Sequence, residues 1–282
     1  KRAIFKMGQQ AMVKSVHTER SVKVEYSSDW LRPDNDSWDL PIEDVKSEKK
    51  KGVKITVTQL KPEISKSFGS SKFLNDLAVK ISEYFGYIMQ KGFKITINGK
   101  SVSPSTLPLL STKKGSGESI MPFDYLSRSG DVDVKVTVGF FRPLAREDEI
   151  DEETISTTGA EKAGITVICN DRVVLLHDRT IKTGWGAGGV PRYHPQFRAI
   201  AGLVVLSSKD ASQLPISTTK RDLDAGSELY LNVRQVCIEA IKMFTDFTNK
   251  WKGREKEANK FFEKAEKTDV RRHVNFAKNR GS

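Results

Sequence analysis

The stretch FRAIAGLVVL, residues 197–206, and the stretch LPISTTKRDLD, residues 214–224, decide the fold of this chain. The first is an almost continuous apolar run of strand length, which predicts a strand that is buried on both faces. Beyond the second, apolar residues recur with helical spacing on more than one stripe from about Ser227 to Trp251. This pattern predicts a long helix that packs against a sheet. A buried strand, a polar loop and a buried helix therefore follow one another, and the loop holds Lys220.

Outward from this core, the chain alternates between strand-like and helix-like patterns. Strands are predicted as a pair over 11–26, singly over 53–57, 93–97 and 132–141, and as a hairpin over 165–169 and 172–176. One further helix is predicted from about Lys72 to Gln90, and residues 104–130 and 180–195 have the composition of loops. Asn98-Gly99 and Asn170-Asp171 are typical of tight hairpin turns. The alternation predicts an α+β fold in which sheets are backed by helices.

The charge of the chain leaves its kind of partner open. The 282 residues carry a net charge of +11, and 37% of them are hydrophobic, as in an ordinary folded protein. The positive charge fits either a polyanionic partner such as nucleic acid or a solvated, lysine-rich surface. Basic residues concentrate at 49–51 and from Lys250 to Arg280, where we expect the long helix to continue as a solvated, basic tail with Phe261-Phe262 as its apolar anchor.

Composition also bears on location and on cysteine chemistry. No apolar run approaches the roughly 18 residues of a membrane span, and Lys1 to Phe5 lacks the apolar core of a signal peptide. We expect a cytoplasmic protein, or a nuclear one in a eukaryote, that is not secreted and not bound to a membrane. The chain has no initiator Met and looks cut from a longer one. Cys169 and Cys237 lie in apolar patterns, which favours two buried thiols over a disulfide, and no histidine spacing predicts a metal site.

Three stretches have the residue types of a site, although each has a purely structural alternative. GVKITV, residues 52–57, is a glycine that enters a strand, which is common at strand starts. KRAIFKMG, residues 1–8, fits an amphipathic helix with solvated lysines. The loop 214–224 contains Ser217-Thr218-Thr219-Lys220, and it equally fits a connection in which Asp224 or Ser227 caps the next helix.

In combination and in this order, the three stretches resemble the GHKL (Bergerat-fold) superfamily of ATPases, which includes DNA gyrase B, and within it the MutL- and MORC-like members. The resemblance covers roughly residues 1–252. In that family a lid ends in a basic residue that opens a helix, as Lys1-Arg2 does, and a glycine-led strand closes the nucleotide-binding fold, as the strand from Gly52 does. A transducer domain follows, and in it a loop lysine reaches the γ-phosphate of ATP. Lys220 is similar in position to that lysine.

The resemblance implies roles for five residues. Lys220 is the implied catalytic residue, as a sensor of the γ-phosphate rather than a base, and Thr218, Thr219, Lys1 and Arg2 are implied to bind nucleotide. A lysine ammonium is a compact charge on a flexible stem, which suits an anionic phosphate and offsets the charge that grows during phosphoryl transfer. Because the contact requires a triphosphate, the resemblance implies domain closure or homodimerisation that follows the nucleotide state.

The resemblance also implies a division of the chain. Residues 1–62 would be the end of a Bergerat-type α/β sandwich, 63–252 a transducer domain with a mixed sheet backed by helices, and 253–282 a basic helical tail or linker. The family's magnesium-binding Asn, catalytic Glu and adenine-contacting Asp would precede Lys1, and Val53 stands where the family often has Thr. ATP and Mg²⁺ are therefore implied as cofactors of the complete protein, with no turnover by this fragment and with no metal ligand assigned within it.

The alternative is a non-catalytic, basic module that binds nucleic acid. It rests on the net charge and on six basic residues of the tail: Lys264, Lys267, Arg271, Arg272, Lys278 and Arg280. Contacts to phosphate would make such binding weaken steeply with salt. The two interpretations are compatible, because several relatives in the GHKL superfamily act on DNA.

Overall fold

The computed structural model describes residues 2–27, 30, 32, 34–37, 39–46, 50–112, 119–146, 162–217 and 222–270, with the backbone alone for Arg2. The chain divides into two compact units, Lys1–Ala78 and Val79–Ser282, called here the amino-terminal and the carboxyl-terminal unit. The predicted limits 1–62, 63–252 and 253–282 stay predictions.

The amino-terminal unit is a four-stranded antiparallel sheet with one short helix before it and two helices after it. Its elements are α1 (Arg2–Met7), β1 (Gly8–Val16), β2 (Ser21–Tyr26), β3 (Ile42–Asp44), β4 (Gly52–Leu60), α2 (Pro62–Phe68) and α3 (Ser71–Tyr84), which crosses the division at Ala78. The strands lie in the order β3-β2-β1-β4, and every neighbouring pair is antiparallel. The strand pair predicted over 11–26 and the strand predicted over 53–57 are confirmed.

One face of this sheet is apolar and partly exposed. Residues directly opposite on antiparallel strands lie on the same face, and the register pairs Val13 with Ile55 and Val24 with Ile42. Val53 shares that face, because side chains two residues apart point the same way. Val53, Ile55 and Ile42 are 66%, 55% and 61% exposed. Among the described residues β4 pairs with β1 alone, so this apolar face ends at a strand with a free edge.

The carboxyl-terminal unit is built on a five-stranded mixed sheet. Its elements are α4 (Gly86–Gln90), β5 (Thr96–Ile97), β6 (Lys100–Ser101), β7 (Pro108–Thr112), β8 (Phe123–Ser129), β9 (Val132–Phe140), β10 (Gly164–Cys169), β11 (Arg172–Asp178), β12 (Ile200–Ser207), α5 (Glu228–Lys250), α6 (Glu255–Glu263) and β13 (Ala265–Asp269). The strand order is β11-β10-β12-β9-β8, with β10 and β12 parallel and the other neighbours antiparallel. β7 pairs with β13, and β5 pairs with β6.

β12 is the central strand, and its sequence explains its place. Every residue from Ile200 to Leu206 is buried, which confirms the strand predicted to be covered on both faces. Gly202 is required for close packing against β9, because a Cβ there would lie 2.9 Å from the carbonyl oxygen of Thr137. The strand therefore joins the two halves of the sheet with little space beside its backbone.

Both predicted hairpin turns are confirmed by their backbone angles. Asn98 and Gly99 between β5 and β6 have φ values of 49° and 77°, and Asn170 and Asp171 between β10 and β11 have φ values of 44° and 66°. Positive φ at both central residues defines the tight turns that suit the twist of antiparallel strands, and Asn, Asp and Gly tolerate it best.

The helices α5 and α6 back one face of this sheet. Ser227 caps α5 by accepting a hydrogen bond from the backbone N–H of Tyr230 at 3.4 Å, and the helix confirms the prediction for 227–251. The ring centroid of Phe140 on β9 lies 5.0 Å from the ring centroid of Phe244 on α5 and 5.5 Å from that of Phe262 on α6. Such edge-to-face ring contacts stabilise a core beyond the area they bury. The α+β class, with a mixed sheet backed by helices, is thus confirmed.

Three predictions about secondary structure are wrong. The helix predicted over 72–90 is divided into α3 and α4 at Phe85, and residues 104–130 contain β7 and β8 instead of a loop alone. The long helix ends at Lys250 and does not continue as a solvated tail, because a separate helix, α6, follows and β13 pairs with β7; the predicted anchor residue Phe262 does pack into the core. Residues 271–282, with the basic residues predicted there, lie outside the described part of the chain.

The structure also shows the state of the two cysteines and bears on membrane spans and metal sites. Cys169 and Cys237 are buried free thiols, as predicted, and burial raises the pKa of each to about 12, so both stay protonated at neutral pH. Within the described residues, no helix combines the length and the hydropathy that a membrane span requires. The same residues contain no cluster of His, Cys, Asp and Glu that could hold a metal ion.

Candidate functional site

The loop 214–224 connects the central strand to the long helix. A short 3-10 helix, Ala211–Gln213, leads into it after β12. Leu214 is 6% exposed and belongs to the core between the sheet and α5, while Ser227 starts α5 a few residues beyond the loop. The predicted order of buried strand, polar loop and buried helix is confirmed, so the loop is anchored in the core at its beginning and in a helix cap at its end.

Backbone hydrogen bonds close the base of this loop. Ile216 and Leu223 form an antiparallel bridge, and the N–H of Ser217 donates to the carbonyl of Asp222 at 2.9 Å. The N–H of Asp224 donates to the carbonyl of Pro215 at 3.0 Å. The two sides of the loop are therefore held together up to Ser217 and Asp222.

The predicted site residues on the loop are Thr218, Thr219 and Lys220, and they lie outside the described residues. The structure describes the residues on either side of them. Ser217 and Asp222, which flank residues 218–221, are hydrogen-bonded to each other. The candidate lysine is thus carried by a segment whose two ends are fixed.

An ion pair joins the loop to a neighbouring segment. The Lys182 ammonium contacts the Asp222 carboxylate, and this contact raises the pKa of Lys182 and lowers the pKa of Asp222. Both side chains are partly exposed, at 45% and 41%, so solvent screening keeps the stabilisation small, below about 1 kcal/mol. The pair therefore contributes mainly to the placement of Asp222.

Lys182 belongs to a short 3-10 helix, Ile181–Thr183, that is bound to α5. The Tyr230 hydroxyl donates to the Lys182 carbonyl at 3.0 Å, and Arg234 Nε donates to the Ile181 carbonyl at 2.8 Å. We call Ile181–Thr183 the platform. The loop base, the platform and the first turns of α5 are therefore one connected structure.

The turn that precedes the platform is held by the carboxylate of Asp178, which is half-buried. Asp178 accepts hydrogen bonds from the Thr180 backbone N–H at 3.1 Å and from the Thr183 hydroxyl at 2.8 Å. The Thr180 hydroxyl in turn accepts from the Lys182 N–H at 3.2 Å and caps the 3-10 helix. Local side-chain bonds of this kind fix short loops that lack regular secondary structure.

The glycines after the platform allow it to approach α5. Gly184 has a φ of 109° and Gly188 a φ of 58°, and a Cβ at either would lie within 2.8 Å of an Ile238 side-chain atom. A side chain at either position would meet both the backbone strain of positive φ and a clash with α5. The glycine-rich composition of residues 180–195 is thus explained by close packing on a helix.

The remaining predicted residues belong to the amino-terminal unit. Arg2 begins α1, as predicted for the residue after Lys1, while Lys1 and the Arg2 side chain lie outside the described part of the chain. The strand from Gly52 is β4, and Val53 at its start is 66% exposed. The five predicted site residues therefore fall on two units: three belong to the loop 214–224, and two are the first residues of the chain, of which Arg2 begins α1.

Sequence reasoning missed the role of Lys182 and Asp222. They are 40 residues apart, in two loops that packing on α5 brings together. Their only signal in the sequence is opposite charge, which many other pairs in this chain share. Proximity of this kind follows from the tertiary fold.

The fold and the loop define the class of this protein. It is an α+β protein in which a lysine-bearing loop joins the central strand of a mixed sheet to a buried helix. Among known proteins, the 43K ATPase domain of Thermus thermophilus gyrase B in complex with an aminocoumarin matches 97% of this chain and 72% of its own, with a TM-score of 0.38 and 13% identity. The B-subunit of the DNA gyrase from Myxococcus xanthus matches 84% of this chain and 68% of its own, with a TM-score of 0.38 and 11% identity. No protein-family model and no curated protein sequence matches the chain.

Proposed function

We propose that this chain is the phosphate-sensing part of a GHKL-type protein that binds and hydrolyses ATP with Mg²⁺. In this proposal Lys220 contacts the γ-phosphate, Thr218 and Thr219 contact phosphate beside it, and Lys1 and Arg2 bind the nucleotide at the start of α1. The contact of Lys220 exists with triphosphate and is lost with diphosphate. Nucleotide state is thereby coupled to domain closure or to dimerisation.

The observation that carries this proposal is the fixed base of the loop 214–224. A lysine on a freely moving loop would follow the phosphate without moving anything else. The base is closed by the bond between Ser217 and Asp222 and joined through Lys182 to the platform on α5. A contact at the tip of the loop would therefore act on the whole carboxyl-terminal unit.

The exposed apolar face of the amino-terminal unit supports the same proposal. Val53, Ile55 and Ile42 leave an apolar sheet surface in contact with solvent, and a sheet with one apolar face is stable when a second layer covers it. We infer that this layer carries the Asn, Glu and Asp of the family, which have no counterpart in the three stretches that resemble it. Within the described part of the chain, the edge of β4 away from β1 is unpaired and lies beside the same surface.

ATP turnover measured on two proteins tests the proposal. This chain alone is expected to release phosphate no faster than the buffer, because none of its three stretches that resemble the family carries a water-activating carboxylate. A protein that joins the chain to a segment with the family's Asn and Glu is expected to hydrolyse ATP. Turnover by this chain alone, or its absence in a joined protein that binds ATP, would contradict the proposal.

A further inference from the structure

A cavity on the second face of the five-stranded sheet has the parts of a small-ligand site. α5 and α6 cover one face, and this cavity lies on the other, beside α4. Its floor is apolar and formed by Ile168, Val173 and Leu203, and Tyr87 of α4 stands in its wall. A concave apolar surface with a few polar groups at its rim is the usual form of a ligand site.

Two groups at the rim can act as hydrogen-bond donors to a ligand. Lys162 donates to the carbonyl of Thr106 at 3.1 Å and makes no ion pair with any described residue, so its ammonium has hydrogens left for a ligand. His177 lines the same cavity. The carboxylates Glu83 and Asp269 also line it, and each has a further interaction within the chain.

His177 is held in an unusual backbone conformation. Its φ is 48°, in the left-handed region that side-chain-bearing residues rarely adopt, and it lies where the register between β10 and β11 is irregular. Thr166 Oγ1 accepts from the His177 backbone N–H at 3.1 Å and lies 3.3 Å from Nδ1. Strained positions of this kind persist where the surroundings hold them and cluster at binding sites.

The imidazole of His177 is neutral at physiological pH. Burial, followed by the positive charges of Arg179 and Lys162, lowers the pKa of His177 to about 4. The contact between Thr166 Oγ1 and Nδ1 is compatible with the neutral tautomer in which Thr166 donates to Nδ1 and Nε2 carries the ring hydrogen. Within the described residues the side-chain hydrogen bond of His177 involves Nδ1, so Nε2 is the ring nitrogen that remains for a ligand.

We propose that this cavity binds a small monocarboxylate with a short apolar body. Its carboxylate accepts hydrogen bonds from Lys162 and from Nε2 of His177, and its apolar part lies on Ile168 and Leu203. The open space of about 70 Å³ equals the liquid volume of roughly two water molecules, which limits the enclosed part of the ligand to a small apolar group, with the carboxylate at the mouth. Glu83 and Asp269 disfavour a second negative charge. The site is independent of the proposed ATP chemistry.

The first test is a titration with 3,3,3-trifluoropropionate, followed by ¹⁹F NMR. The wild-type chain is expected to bind it saturably with a Kd of about 1–10 mM, which is reasonable for a ligand of this size. The uncharged 3,3,3-trifluoropropanamide is expected to bind at least about tenfold more weakly, because it loses the charge-assisted bond to Lys162. The ring ¹⁵N signals of His177 are expected to shift with the acid.

Variants locate the binding. His177→Asn retains a residue that tolerates positive φ but removes the imidazole, and Lys162→Met retains the apolar stem but removes the charge. Each is expected to weaken binding of the acid about tenfold, while His17→Asn at an exposed position leaves it unchanged. Acid binding that is unaffected by both variants, or no saturation up to roughly 50 mM, would overturn the proposal.

Discussion

Replacement of Lys220 by Ala is expected to lower ATP turnover about a hundredfold or more in a protein that joins this chain to the rest of the proposed nucleotide site. Negative charge grows on the γ-phosphate oxygens during transfer, and one well-placed donor to a developing charge is worth about 3–4 kcal/mol, or two to three powers of ten in rate. Nucleotide affinity is expected to stay within about threefold, because the adenine, ribose and remaining phosphate contacts are unchanged.

Phosphate release and the binding of a fluorescent nucleotide measure the two effects separately. Lys209→Ala is the matched control, because Lys209 is an exposed lysine in the same connection between β12 and α5. Lys220→Arg keeps the charge but changes its geometry, so an intermediate rate is expected. Turnover by Lys220→Ala at the wild-type rate would remove Lys220 from the mechanism.

The free energy of unfolding of the carboxyl-terminal unit is expected to fall by up to about 3 kcal/mol between pH 6.5 and pH 4 because of His177 alone. Burial and nearby positive charge lower its pKa from 6.5 to about 4 in the folded state. Within this window the unfolded chain binds a proton at His177 and the folded chain does not. The contribution of His177 to the free energy of unfolding is therefore fully present above its pKa in the unfolded chain. It is lost as the pH falls, by about 1.4 kcal/mol for each pH unit.

The variant His177→Asn isolates this contribution. The charged groups around His177 are Lys162 and Arg179, with the carboxylates Glu83 and Asp269 at least partly facing the same cavity, and the variant leaves all four in place. Urea unfolding at a series of pH values is expected to give a shallower loss of stability for His177→Asn than for wild type. If the free energy of unfolding had the same pH dependence in the two proteins, folding would not lower the pKa of His177, and the prediction would be wrong.

The central strand and the long helix could be predicted from the sequence because their patterns are local. An apolar strand such as 200–206 is stable only where both of its faces are covered, in the middle of a sheet. The apolar stripes of α5 are then buried by packing against that sheet. The hairpin turns at Asn98-Gly99 and Asn170-Asp171 were predictable for the same reason, since turn chemistry is decided by two residues.

The pairing of β13 with β7 could not be predicted, because neither strand has a pattern of its own. Residues 265–269 are polar and read as part of a basic tail, and only the pairing of Lys267 with Leu110 and its neighbours makes them a strand. The contact between Lys182 and Asp222 depends in the same way on two loops meeting on α5. The sequence was sufficient to propose Lys220 as a candidate, because Lys220 lies between β12 and α5. The contacts that fix its loop follow from the tertiary structure alone.

The most direct test of the central claim is a distance between the two units in a protein with the complete nucleotide site. Spin labels are attached at Glu19→Cys and Glu239→Cys, which are exposed positions, while the buried Cys169 and Cys237 are protected from labelling. A non-hydrolysable ATP analogue is expected to change the distance distribution of the wild type, and ADP is expected to leave it unchanged. Lys220→Ala is expected to bind the analogue without that change. A full response of Lys220→Ala to the analogue would contradict the claim that Lys220 senses the γ-phosphate.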